Sequence, residues 1–150
     1  MSGKALFIPS GTGPQHFVFG DLITVKIHGR DTGGVFAQME TNCGPKIGPP
    51  LHVHHREEET FFVLEGQFEF VCGEQQTIGG PGIVVHLPRN VAHRFKNIGE
   101  TQGRLLITLT PAGIEEFFEE VGALPPEERS DLPKIAALAA RYGLEILGGA

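Results

Sequence analysis

An all-β barrel followed by a helical tail is the fold class this sequence predicts, on three observations. Short runs of β-prone residues alternate with glycine-rich turns through the first 110 residues. Two of those runs carry histidines at alternating positions, where an extended strand sends its side chains to one face. Helical spacing of apolar residues appears only after Thr110-Pro111.

The bulk properties set outer limits. At 150 residues and 16.2 kDa the chain has the size of one domain with its own core. A net charge of -6 and a pI near 5.6 argue against a nucleic acid or an anionic membrane as partner and for a small molecule. No apolar run reaches bilayer-spanning length, and the N-terminal stretch offers only Ala5 to Ile8 without a cleavage pattern, so a cytoplasmic location is expected by default. Cys43 and Cys72 match no zinc-ribbon or redox spacing and are read as reduced.

Taken in order, His16 to Phe19 and Leu22 to His28 flank a Gly20-Asp21 turn, and Gly29 to Gly34 forms the next turn. Val35 to Thr41 is a strand ending at Asn42-Cys43-Gly44-Pro45. His52 and His54 stand two apart, so a strand there projects both imidazoles from one face, and the β-prone run from Glu59 to Leu64 brings a carboxylate alongside if the chain reverses between them. Such a facial set suits a divalent transition metal with open positions, whereas a lone His-x-His is also what an exposed polar turn shows. Glu65-Gly66 reverses the chain into Gln67 to Cys72, where Phe68, Phe70 and Cys72 share a face.

Ile83 to Leu87 is another strand, and Pro88-Arg89-Asn90 is a turn with asparagine where a left-handed backbone is cheap. After it, His93, Phe95 and Asn97 face one way and Arg94 and Lys96 the other. Inward polar groups on two hairpins are costly unless partnered, and a shared metal would supply the partner. Phe61, Val63, Phe68, Phe70, Phe95, Leu105, Ile107 and Leu109 fall on inward faces. In the tail, Ile114, Phe117, Phe118 and Val121 make one helical stripe, with Glu115, Glu116, Glu119 and Glu120 as its wet face and Gly122 as the stop. Asp131 caps a second helix whose stripe is Ile135, Leu138, Ala139 and Tyr142, ended by Gly143.

These residues carry a resemblance to the cupin superfamily. Gly48, His52, His54, Glu59 and Gly66 follow the first half of its pattern with one residue fewer between glycine and histidine, and Gly82, Pro88, His93 and Asn97 follow the second, with Asn90 in place of a glycine. The tail starting Pro-Ala-Gly-Ile-Glu-Glu-Phe-Phe resembles that of bacterial single-domain cupins related to quercetinase. The resemblance implies a jelly-roll barrel, a double-stranded β-helix, over residues 1–110, with residues 111–150 as a helical extension packed on the barrel or on a partner subunit, one domain overall. It implies that His52, His54, Glu59 and His93 bind one divalent transition metal, with iron, manganese, nickel, cobalt, copper and zinc all open. Glu58 is the rival carboxylate, but strand alternation puts it with Thr60 and Phe62, away from Glu59. His55 is read as a rim residue pairing with Glu57, and His16, His28 and His86 as structural or exposed.

The implied function is a metal-dependent oxidoreductase, most concretely a quercetinase-like dioxygenase acting on a small aromatic or phenolic substrate, with Glu59 serving as both ligand and catalytic base. The alternative is a non-catalytic metal-containing binding or sensor domain, suggested by the lack of a second catalytic group outside the ligand set. A homodimer formed through strand or sheet pairing is expected.

Overall fold

The computed structural model describes residues 3–148. Eleven strands make two facing antiparallel sheets. They are β1 (Gln15–Val18), β2 (Asp21–Ile27), β3 (Ala37–Cys43), β4 (His52–His54), β5 (Glu58–Glu65), β6 (Phe68–Cys72), β7 (Gln75–Gly79), β8 (Val84–Leu87), β9 (His93–Asn97), β10 (Gly103–Thr110) and β11 (Leu144–Ile146). The helices are α1 (Glu115–Gly122) and α2 (Leu132–Ala140). The six-stranded sheet has the order β1-β2-β3-β10-β5-β8, and the five-stranded sheet β11-β4-β9-β6-β7. Neighbours distant in sequence pair in both sheets, as a jelly roll requires.

Side-chain alternation fills the space between the sheets in layers. Phe61 of β5 packs against Phe70 of β6 and Phe95 of β9, with ring centroids 5.6 and 5.1 Å apart. Register fixes the layers on either side: across β6 and β9, Cys72 faces His93, Phe70 faces Phe95 and Phe68 faces Asn97. The middle of the barrel is therefore aromatic, and polar residues sit at both ends of β9. All eight inward residues expected from the sequence are buried. Each large apolar side chain so buried contributes about 1.5–3 kcal/mol.

Two backbone features hold the histidine-bearing segments in place. Asn90 adopts a left-handed φ of 67° and its N–H donates to the His54 carbonyl at 2.9 Å, tying the turn after β8 to β4. A Cβ on Gly48 would lie 2.1 Å from the Phe95 carbonyl oxygen, so only glycine lets the segment before β4 pass this close to β9.

The structure departs from the sequence reading at several points. Glu115, expected on the wet face of α1, is 1% exposed; its carboxylate accepts from the Gly29 N–H at 2.9 Å and the Gly113 N–H at 2.7 Å. The sequence reading did not include β11, which pairs with β4 so that Leu144 faces His54 and Ile146 faces His52. It also left out β7, which extends the five-stranded sheet beside β6. Both helices share the core of the barrel through Ile114, Phe117, Val121, Ile135 and Ala139. Asp131 caps α2 as its position suggests, its side chain accepting from the Lys134 N–H. Among the described residues no helix is long and apolar enough to cross a membrane.

Candidate metal centre

Three strands from both sheets converge on one buried cluster. His52 and His54 leave the same face of β4, and His93 of β9 is the direct register partner of His52. Glu59 comes from β5 of the facing sheet, where it lies opposite Leu109 and Leu87. Each of the four residues offers a donor atom, and these atoms lie within 4.8 Å of one another; all four residues are at least nine-tenths buried. Glu58 points away, half-exposed beside His86 and Arg89.

Each imidazole is oriented by a second contact at Nδ1. His52 Nδ1 is 2.7 Å from the Pro50 carbonyl, and His93 Nδ1 is 3.1 Å from the Val91 carbonyl. His54 Nδ1 lies 3.3 Å from Glu57 Oε2, close enough for charge attraction although neither atom finds hydrogen-bond geometry there. The other nitrogens of His54 and His93 meet at one atom: Nε2 of each is 3.0 and 3.2 Å from Glu59 Oε2. Outer contacts of this kind fix ring orientation in metal sites.

The electrostatics follow from this crowding. Burial, reinforced by His93 and His54, pushes His52 down to about 3 and keeps it neutral. Burial alone would lower His54 as well, but the carboxylates of Glu59 and Glu57 outweigh it and raise it to about 9. For Glu59, burial favours the neutral acid, yet the facing His54 and His93 hold its carboxyl well below the usual carboxylate range.

Two further residues belong to this picture. Glu57, read as the partner of His55, instead turns its buried side chain to His54, while His55 lies between Asn90 Oδ1 at 2.9 Å and Glu145 Oε2 of β11 at 2.8 Å. The signal was available, since Glu57 is two residues before Glu59 and shares its face. Asp21 is the other. It is 3% exposed, opens β2 on the face of Ile23 and Val25, and lines the same cavity as His52, His54 and Glu59. Burial raises it to about 6, with Thr41 and Cys43 beside it. The cavity is otherwise apolar and small, about 50 Å³, with Phe19, Phe118 and Leu144 among its walls.

The strand order, the buried donor cluster and the spacing of its residues agree with a known family. Residues 41–109 match the family described as Cupin domain. The barrel has the cupin fold. Quercetin 2,3-dioxygenase of Bacillus subtilis is 28% identical over 116 residues, covering 77% of this chain and 34% of the relative. An uncharacterized protein of Streptomyces coelicolor is 35% identical over 57 residues, covering 38% of this chain and 53% of that one. The chain thus spans about a third and about half of the length of these two curated relatives. Among solved structures, KdgF from Halomonas superposes with a TM-score of 0.66 at 15% identity over 75% of this chain and 99% of that one. An RmlC-like cupin from Shewanella frigidimarina gives 0.63 at 17% identity over 77% and 99%. At these identities the likeness concerns the fold alone.

Proposed function

We propose that this cupin holds one divalent transition metal through His52, His54, Glu59 and His93 and uses it as an oxidoreductase of the dioxygenase type on a compact phenolic or otherwise hydroxylated substrate. The observation that carries this reading is the pattern of acceptors around His54 and His93. Both nitrogens of each ring face oxygen, two of these contacts meet at Glu59 Oε2, and without an ion the carboxylates draw a second proton onto His54, so the cluster attracts positive charge. A cation among Nε2 of these rings, His52 and Glu59 satisfies all of them at once.

The residues present fit such an ion. Three imidazoles and one carboxylate are intermediate to hard donors suited to iron, manganese, nickel, cobalt, copper or zinc, and they leave coordination positions open. When bound, a divalent ion supplies Lewis acidity and, if redox-active, electron exchange with the substrate. His52 stays neutral at working pH and is ready to donate its free nitrogen. Glu59 remains ionised, which suits it to hold a cation and makes it a weak base; a role as proton acceptor requires that neighbouring positive charge be drawn away. The apolar walls keep water from the donors.

The space itself argues for a compact substrate. About 50 Å³ has room for only a few water molecules, so a three-ring flavonol enters only if Phe19 or Phe118 withdraws, whereas a one-ring or smaller molecule requires less. The non-catalytic alternative was motivated by the lack of a second catalytic group outside the ligand set, and oxygen uptake decides between the two. The test is elemental analysis of untagged protein, followed by oxygen uptake with phenols of increasing size. One transition ion per chain and uptake confined to the smaller phenols is the expected result; a loaded protein that consumes oxygen with none of them leaves a binding domain.

A further inference from the structure

Asp21 is the one lining carboxylate of the chamber outside the donor cluster. Register places it far along the barrel from Glu59: Asp21 lies at the Cys43 end of β3, since Leu22 faces Asn42, whereas Glu59 faces Leu109, which in turn faces Ala37 at the other end. Between them the wall is apolar, with Ile23, Met39 and Ile107. One of its oxygens, Oδ1, is buried without a hydrogen bond of good geometry; its polar neighbours are the Thr41 hydroxyl and the Cys43 thiol. A buried carboxyl oxygen without a well-formed hydrogen bond is costly, and beside a cavity it is placed to receive a ligand's donor.

We propose that Asp21 is a specificity-determining residue: its buried carboxyl oxygen accepts a hydrogen bond from a hydroxyl at the end of the ligand remote from the donor cluster. The ligand class is then a slender molecule with an anionic or metal-binding oxygen at one end, an apolar middle and a hydroxyl at the other. This rests on the metal reading for the position of the first end only. Burial that raises Asp21 to about 6 keeps it within reach of either protonation state near neutrality, so the same group can donate to an acceptor under mildly acidic conditions.

The test uses the full chain loaded with cobalt(II), whose visible absorption reports both ion binding and the arrival of an oxygen ligand. The probes are ω-hydroxycarboxylates of about three to six carbons and the unsubstituted carboxylates of equal length. Wild type is expected to prefer the hydroxylated probe by ~10- to 100-fold at one chain length, the usual worth of a hydrogen bond to a charged group. Asp21→Ala should bind cobalt equally well and lose that preference. Equal binding of both probe series by wild type, or a preference surviving in Asp21→Ala, overturns the proposal. The absorption of the ligand-free loaded protein shows separately whether the metal reading stands. A second measurement needs no metal: Asp21→Asn is expected to melt above wild type at pH 8, because a group retained for a ligand is a liability in its absence. A lower melting temperature would assign Asp21 to the framework and overturn the proposal as well.

Discussion

His93 and Asn97 lie on the same strand and the same face, four residues apart, and both are almost wholly buried, yet they solve the problem of burial in opposite ways. Asn97 is saturated by its own chain. Its Nδ2 donates to the carbonyls of Cys43 at 2.9 Å and Thr101 at 2.8 Å, and its Oδ1 accepts from the Gly99 N–H at 2.9 Å. His93 has acceptors at both nitrogens, the arrangement that the proposed cation would complete. A buried polar group with every bond made locally is a framework element, whereas one grouped with other donor atoms is a candidate ligand. The family pattern includes both residues, and the structure separates their tasks.

The contrast can be broken at either residue. His93→Ala should reduce bound transition metal from about one ion per chain to nearly none by elemental analysis, while the metal-free variant stays folded. Asn97→Ala should do the reverse, retaining the ion but losing about 3 to 4 kcal/mol of stability in denaturant titration, because two carbonyls and one N–H are left without partners.

A pH series sharpens it further at Asp21. The folded-state value of about 6 lies above the ordinary 3.8, so the contribution of this group to stability is full below about pH 4 and is lost as pH rises through 6. Asp21→Asn, which does not titrate, should therefore match wild type near pH 4 and exceed it by up to about 3 kcal/mol at pH 8. The groups around it are Thr41 and Cys43 and, along the cavity, His52, His54 and Glu59; the Thr41 hydroxyl does not titrate, the Cys43 thiol is pushed up by burial and stays neutral, and the last three are common to both proteins. Glu57→Gln should weaken metal binding by ~10- to 100-fold in a chelator competition, since it removes the charge behind His54. His55→Ala, at the exposed contact with Glu145, should leave both metal content and the melting curve unchanged.

What the sequence made legible was alternation. Phe61, Val63, Phe68, Phe70, Phe95, Leu105, Ile107 and Leu109 were placed inward by period alone, and all are buried. Spacing suggested His52, His54 and Glu59 as a chelating set, the family resemblance completed it with His93, and the structure brings the four together. Glu115 was missed because helical period reports only which side of a helix is apolar, and cannot anticipate that two backbone N–H groups from Gly29 and Gly113 wait on that side. Asp21 was hidden by its glycine neighbour, which reads as a turn although Asp21 is in phase with Ile23 and Val25. The three residues of β11 are too few for a periodic signal, and their strand exists only because the edge of β4 offers unpaired backbone groups.

That short strand has a consequence in time. The donors lie between residues 52 and 93, but the backbone that covers β4 and the Leu144 side chain in the cavity wall belong to residues 144–146. During synthesis the histidines emerge well before the strand that walls them in. For that interval the edge of β4 lacks its partner and the cavity lacks its Leu144 wall, so the last part of the chain to be made is the part that encloses the cluster.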